Sequence, residues 1–146
     1  MKILSSRDTL SNIYFDGLKI RNTVFVKEQG VPPELEIDRL EAFCIYLVYY
    51  NDQNEACGVL RLYPDAQSKQ IQLQRLAVLK SARGNNIGKS LILFAEQFAK
   101  KLGFQTIDLH AQIQAEIFYQ KLGYQAYGEK FEDAGIIHIA MRKELK

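Results

Sequence analysis

Residues 70–103 read QIQLQRLAVLKSARGNNIGKSLILFAEQFAKKLG, and the fold turns on how that stretch is read. Ile71 and Leu73 are apolar on odd positions, whereas Leu76 and Val78 are apolar on even ones. A strand of period two cannot change sides without an extra residue, so the flip predicts a β-bulge around Gln74-Arg75; the alternative is that Leu76 leaves the sheet early. A bulge would splay the ladder and leave backbone N–H and C=O groups unpaired and open to a ligand. Farther on, Ile87, Leu91, Phe94, Ala95, Phe98 and Leu102 mark one face of a helix closed by Lys100, Lys101 and Gly103. Another strand is expected over 104–111. Strand, helix, strand in this order requires a right-handed crossover, hence one parallel pair inside an otherwise antiparallel sheet.

Working outward, Phe43–Tyr50 and Ala56–Tyr63 are two apolar runs separated by Asn51-Asp52-Gln53-Asn54-Glu55, a hairpin signature, and Pro64–Lys69 forms a second turn into the bulged strand. Upstream, Leu10, Ile13, Tyr14, Leu18, Arg21, Val24 and Phe25 have helical spacing interrupted at Gly17, which predicts one bent helix or two short ones. Val31-Pro32-Pro33 cannot continue it, and Glu34, Glu36 and Asp38 read as an acidic loop or extended edge. Downstream, residues 114–122 form a short helix closed by Gly123, and 124–131 with 136–142 form a hairpin. The fold class is α+β: a mixed, mostly antiparallel sheet with a central parallel pair, in one domain over residues 1–146.

The chain of 146 residues has 19 Lys plus Arg against 17 Asp plus Glu, a formal charge of +2, with 47% hydrophobic residues. That composition suits a globular core and offers no basic cluster for nucleic acid. The longest apolar run, Phe43–Tyr50, is far short of the ~20 residues that span a membrane. With no secretory signal at the N-terminus, the expected location is cytoplasmic, and Cys44 and Cys57 are expected as buried free thiols. The scattered histidines and cysteines predict no metal site.

The turn Arg83-Gly84-Asn85-Asn86-Ile87-Gly88-Lys89-Ser90 opens the helix. Glycine and asparagine accept left-handed backbone, the helix start presents free N–H groups, and Arg83 and Lys89 add positive charge, so the turn suits an anion such as phosphate. Gly88-Lys89-Ser90 also copies the end of a nucleotide-binding P-loop. There, however, Gly84 makes the loop one residue too short, and Asp108 is the only loose candidate for a magnesium ligand.

LQRLAVLKSARGNNIGKSLILFAEQFAKKLG resembles the acetyl-CoA-binding region of the GNAT N-acetyltransferase superfamily, with its Gln/Arg-x-x-Gly-x-Gly/Ala loop, and AEIFYQKLGY resembles that superfamily's second cofactor segment. RNTVFVKEQGVPPELEID and GEKFEDAGIIHIAM resemble a small single-domain bacterial branch. Asn86 stands where the loop's central glycine would be, a position asparagine tolerates. The resemblance implies helices on both faces of the sheet, splayed at the bulge, and acetyl transfer from acetyl-CoA to a primary amine by direct attack. In those terms Leu76, Ala77 and Val78 hold the pantetheine arm, and the N–H near Val78 stabilises the developing oxyanion. Arg83, Gly84, Asn85, Asn86, Ile87, Gly88 and Lys89 cradle the pyrophosphate, Gln112 bonds the pantetheine, and Phe118 packs against core and cofactor.

Tyr119 is the expected general acid to the thiolate; Phe118 aligns with Ala115 and Leu122 on the inner helix face, which leaves Tyr119 off that face. For the base, Glu28 is the first choice, with Glu34, Glu36, Asp38, His110 and His138 as alternatives. The acceptor, small molecule or peptide, is not readable, and the resemblance leaves room for a homodimer. The alternative of a different class is a non-catalytic module that binds CoA or a nucleotide.

Overall fold

In a computed structural model, which describes residues 1–65 and 67–146, one seven-stranded sheet runs in the order β1-β2-β3-β4-β5-β7-β6. The strands are β1 (Lys2–Ser6), β2 (Ile45–Tyr50), β3 (Ala56–Asp65), β4 (Gln70–Val78), β5 (Thr106–Gln112), β6 (Gln125–Asp133) and β7 (Ile136–Glu144). β4 and β5 are parallel and the other neighbours antiparallel, as the crossover argument requires. The edge strand β1 was not foreseen, because KILSS has no alternation to betray it; β2 recruits it in register. Of the turn expected over Pro64–Lys69, Ala66 lies outside the described residues.

Helix α1 (Asn12–Arg21) covers one face of β2 and β3, and α3 (Ile87–Lys101) covers the other. Gly17 is not the interruption its sequence position suggested. It lies inside α1, where a Cβ would stand 2.8 Å from Val59 Cγ2 and 3.2 Å from Val48 Cγ2, so glycine lets the helix lie directly on the sheet. The regular α-helix gives way instead at Asn22–Glu28, a π-helical segment. Gly58 performs the same service on the opposite face, with a Cβ 2.8 Å from Ile87 Cγ2.

The bulge is present. Arg61 pairs with Gln74 and Val59 with Ala77, so the single residue Leu60 faces Arg75 and Leu76 together. Arg75 takes φ 59°, a left-handed value. Pairing of β4 with β5 ends at Leu73↔Leu109, although both strands continue, and the sheet opens there like a V.

The acidic stretch is a loop only from Ile37 onward, and it is not an extended edge. Pro33–Glu36 forms a short helix, α2, and Glu36 is buried at 3% exposure. Arg21 donates from Nε to both Glu36 oxygens at 3.1 Å, and Arg75 Nε reaches Glu36 Oε2 at 2.8 Å. Glu41 accepts from Arg21 Nη1 and Arg61 Nη1, both at 2.8 Å, and Asp38 accepts from Arg61 Nη2 at 2.8 Å. Three guanidiniums and three carboxylates thus join α1, α2, β3 and the bulge. A buried charge is tolerable only when so paired.

Burial pushes the Glu41 carboxyl up, but hydrogen bonds and charge from Arg21, the Asp38 N–H and Arg61 outweigh it and hold the pKa at about 2. Because the folded value lies below the unfolded one, Glu41 contributes full stability above about pH 4.5, and the contribution is lost as pH falls toward 2. Glu41→Gln should lower stability at pH 7 by about 3 kcal/mol in urea titrations and flatten the loss of stability between those pH values.

Candidate active site

At the V a cavity of about 520 Å³ opens, floored by Leu73, Leu76 and Leu109 and walled by Phe25, Val31 and Leu35. Its polar rim holds Gln29, Gln72, Gln74, Gln112, His110 and His138. Leu79 N–H donates to Cys57 O at 2.9 Å. Antiparallel alternation then turns the N–H and C=O of Val78 away from β3, toward the side β5 has vacated. One end of the cleft thus carries an oriented backbone donor with no strand to receive it.

Beyond Val78 the chain makes a short 3₁₀ turn and reaches the expected anion loop. Gly84 has φ 87° and Asn86 φ 60° with ψ 23°, both left-handed; the asparagine therefore holds a conformation that would otherwise call for glycine. The first intrahelical bond of α3 runs from Ser90 N–H to Asn86 O, so the N–H groups of Ile87, Gly88 and Lys89 have no acceptor within the helix. The Ile87 side chain is buried and belongs to the core; Lys89 is exposed. Asn85 Nδ2 donates to Ala82 O at 2.9 Å, which ties the loop to the preceding turn.

Arg83 reaches backward. Its Nε donates to Val78 O at 3.0 Å, and its two terminal nitrogens meet Glu28 at 2.8 and 2.9 Å. Glu28, expected as the base, is thereby engaged: its hydrogen bond to Arg83 and then that residue's charge hold the carboxyl below the usual range. In this arrangement Glu28 is paired with the loop arginine and does not line the cavity. Beside it, Gln29 accepts from Gln112 Nε2 at 3.0 Å. The last residue of the π-helical segment and the residue after it, Glu28 and Gln29, thus bond to Arg83 and Gln112 on either side of the V.

Tyr119, on α4 (Glu116–Lys121), lines the cavity at 7% exposure, while Phe118 is 38% exposed. This reverses the expected faces. Ala115 lies in a 3₁₀ turn before α4, so the spacing 115-118-122 does not trace one helical face. Phe118 still meets the anion loop, since its Cζ is 3.7 Å from a Cβ position on Gly88. Burial pushes the Tyr119 phenol well above its usual range, and among the described residues its hydroxyl has no hydrogen-bond partner. It is a protonated phenol with its proton uncommitted.

The sequence marks Gln74 and Arg75 only as the bulge and does not mark Arg61 or Gln72, yet all four line the cavity. Signals existed: a lone arginine inside the apolar run Ala56–Tyr63, and glutamines at every second position of β4. Cys44 and Cys57 are buried and free, and burial raises the Cys44 thiol to about 11, which leaves little thiolate for covalent chemistry. Among the described residues no group of three or more His, Cys, Asp or Glu side chains is placed to hold a metal ion, and no helix is long and apolar enough to cross a membrane.

Comparison with known proteins agrees with this architecture. The sequence model of the acetyltransferase (GNAT) domain matches residues 22–145. The Bacillus subtilis protein YjcF, named an uncharacterised N-acetyltransferase, is 39% identical over 130 residues, covering 88% of this chain and 91% of its own. A crystal structure from Lactobacillus plantarum superposes with a TM-score of 0.91 at 29% identity, covering 99% and 98% of the two chains. An acyl-CoA N-acyltransferase from Pseudomonas aeruginosa does so with 0.85 at 27% identity, covering 97% and 98%.

The left-handed Asn86 carries a direct expectation. Asn86→Gly should be neutral or slightly stabilising, and Asn86→Val should lower stability by about 1–2 kcal/mol in thermal or urea unfolding.

Proposed function

The chain belongs to the GNAT acetyltransferase family and so to the acyltransferases, and from that premise we propose that it transfers an acetyl group from acetyl-CoA to a primary amine by direct attack. One observation supports the reading: β4 and β5 stop pairing after Leu73↔Leu109, the cavity that opens there is lined by Leu76, Gln112 and Tyr119, and Phe118, which also lines it, comes within 3.7 Å of a Cβ position on Gly88 in the adjoining loop.

The residues present fit coenzyme A. The vacated edge from Leu76 to Val78 can pair with an extended amide chain as an added strand would, with Gln112 on the opposite lip. The loop from Arg83 to Lys89 offers N–H groups and two cations to a pyrophosphate, and Phe118 bridges loop and cavity. When bound, acetyl-CoA supplies the thioester carbonyl and the leaving thiolate.

The chain's own groups then act on those atoms. Val78 N–H donates to the carbonyl oxygen as it gains negative charge, an interaction strongest in the transition state. Tyr119 gives its proton to the departing sulfur, a role suited to a phenol that burial keeps protonated. Arg83 must exchange Glu28 for phosphate oxygens, so that ion pair opens as the loop fills.

Titration calorimetry with acetyl-CoA, run beside Mg-ATP, tests the premise. Micromolar binding of acetyl-CoA that Arg83→Glu abolishes is expected, and binding of Mg-ATP instead would sink it. With a panel of primary amines, Tyr119→Phe should retain acetyl-CoA affinity and lose about 10²-fold or more in thiol release. A non-catalytic binding module would show no thiol release in either form. Removal of the competing carboxylate by Glu28→Gln should tighten acetyl-CoA binding by about two- to fivefold at low salt; weakened binding would show that Glu28 holds the loop open instead.

A further inference from the structure

We propose that His138 is the general base of this site, its Nε2 taking a proton from the attacking amine. The proposal rests on the transferase reading and adds to it the group that makes the acceptor nucleophilic.

His138 Nδ1 lies 2.7 Å from Ile136 O. A carbonyl oxygen only accepts, so Nδ1 carries the proton and the neutral ring has its lone pair on Nε2. Among the described residues that nitrogen has no partner, and His138 lines the same cavity as Tyr119.

His110, the other imidazole there, is committed. Arg61 Nε can only donate, and it reaches Gln74 Oε1 at 2.8 Å; this fixes the Gln74 amide, whose Nε2 donates to Gln72 Oε1 at 2.7 Å. Gln72 therefore turns its own Nε2 to His110 Nε2 at 3.3 Å, and the lone pair of that ring is occupied. A relay of forced direction thus leaves His138 as the imidazole with a free acceptor.

The His138 ring is also held in place. It stacks on Phe131 at 5.8 Å and 20°, while His110 meets Phe131 edge-on at 5.0 Å. In the ladder His138 faces Gln112, the last residue of β5, beside the V. Cross-strand partners project to one face, so His138 rises with Gln112. Tyr119 packs with Ile107, Leu109 and Ala111 on the other face. Proton acceptor and donor therefore flank the gap from opposite sides.

The other charged groups lining the cavity are Glu36, Asp38, Arg61, Arg75 and Asp133. Glu36 and Asp38 are neutralised by Arg21, Arg61 and Arg75. Asp133, at the end of β6, is exposed, which suits it to attract a cation rather than to deprotonate one.

An alkylammonium must lose one proton to expose its lone pair and a second as the C–N bond forms. His138 Nε2 takes the first and hands it to water at the cavity mouth; the second leaves to solvent after attack. The C–S electron pair departs on sulfur, where Tyr119 supplies the proton, and the products are the acetamide and the free thiol. The phenol recovers its proton from water.

His138→Gln keeps a polar side chain of similar reach without basicity. With benzylamine as acceptor its kcat should fall by about 10²-fold, with acetyl-CoA affinity by calorimetry and the melting temperature unchanged. With hydroxylamine, which is unprotonated at neutral pH, the loss should shrink to severalfold. Equal losses with both amines, wild-type turnover in the variant, or suppression by Asp133→Asn in its place would overturn the assignment of His138 while leaving acetyl transfer intact. Wild-type protein that binds acetyl-CoA but acetylates neither amine nor any member of the panel would overturn both readings together.

Discussion

The bulge at Arg75 is the constraint on which the rest depends. One surplus residue in β4 reverses the side on which its apolar positions fall, so Leu76 and Val78 continue the α3-facing core while the strand bends away from β5. Without it the parallel pair would zip past Leu73, and Val78 would spend its N–H on a neighbouring strand. A packed sheet would then have no gap in which a thioester could lie. The cavity and the groups that line it are arranged around an interruption of regular pairing.

Such an interruption has to be held. Arg75 occupies a left-handed conformation that is costly for a residue with a Cβ, and its guanidinium is bonded to Glu36, which in turn meets Arg21. The buried network joining Arg21, Arg61 and Arg75 to Glu36, Asp38 and Glu41 therefore fixes two things at once, the bend of β4 and the seat of α2 in the cavity wall. The same Arg61 orients Gln74, and through it Gln72 and His110. Structural charge and polar surface are one continuous system here.

The faces of the sheet divide the polar groups that line the cavity. Tyr119 reaches it from the α4 side, and His110, His138, Gln72 and Gln74 from the opposite face. Glu28 and Gln29 bond to Arg83 and Gln112 on either side of the V. Both are exposed polar contacts, weak enough for a polyanion to displace.

Local pattern in the sequence determined the bulge, the parallel crossover, the meander, the left-handed turn before α3 and the family, because each rests on a strand period, a turn residue or a short motif. Asn86 was readable too, since asparagine tolerates the left-handed backbone found there. Tertiary structure alone decided the rest. KILSS becomes a strand only because β2 offers an edge, and Gly17 packs rather than breaks because Val48 and Val59 lie beneath it. Glu36 and Glu28 look alike in a string of acids, yet one is buried against two arginines and the other is spent on the loop arginine. The exchange of faces between Phe118 and Tyr119, and the free nitrogen of His138, follow from contacts many residues away along the chain. A periodicity reports which side of an element is apolar; only the neighbours that arrive on folding decide which charge is paired and which lone pair is left open.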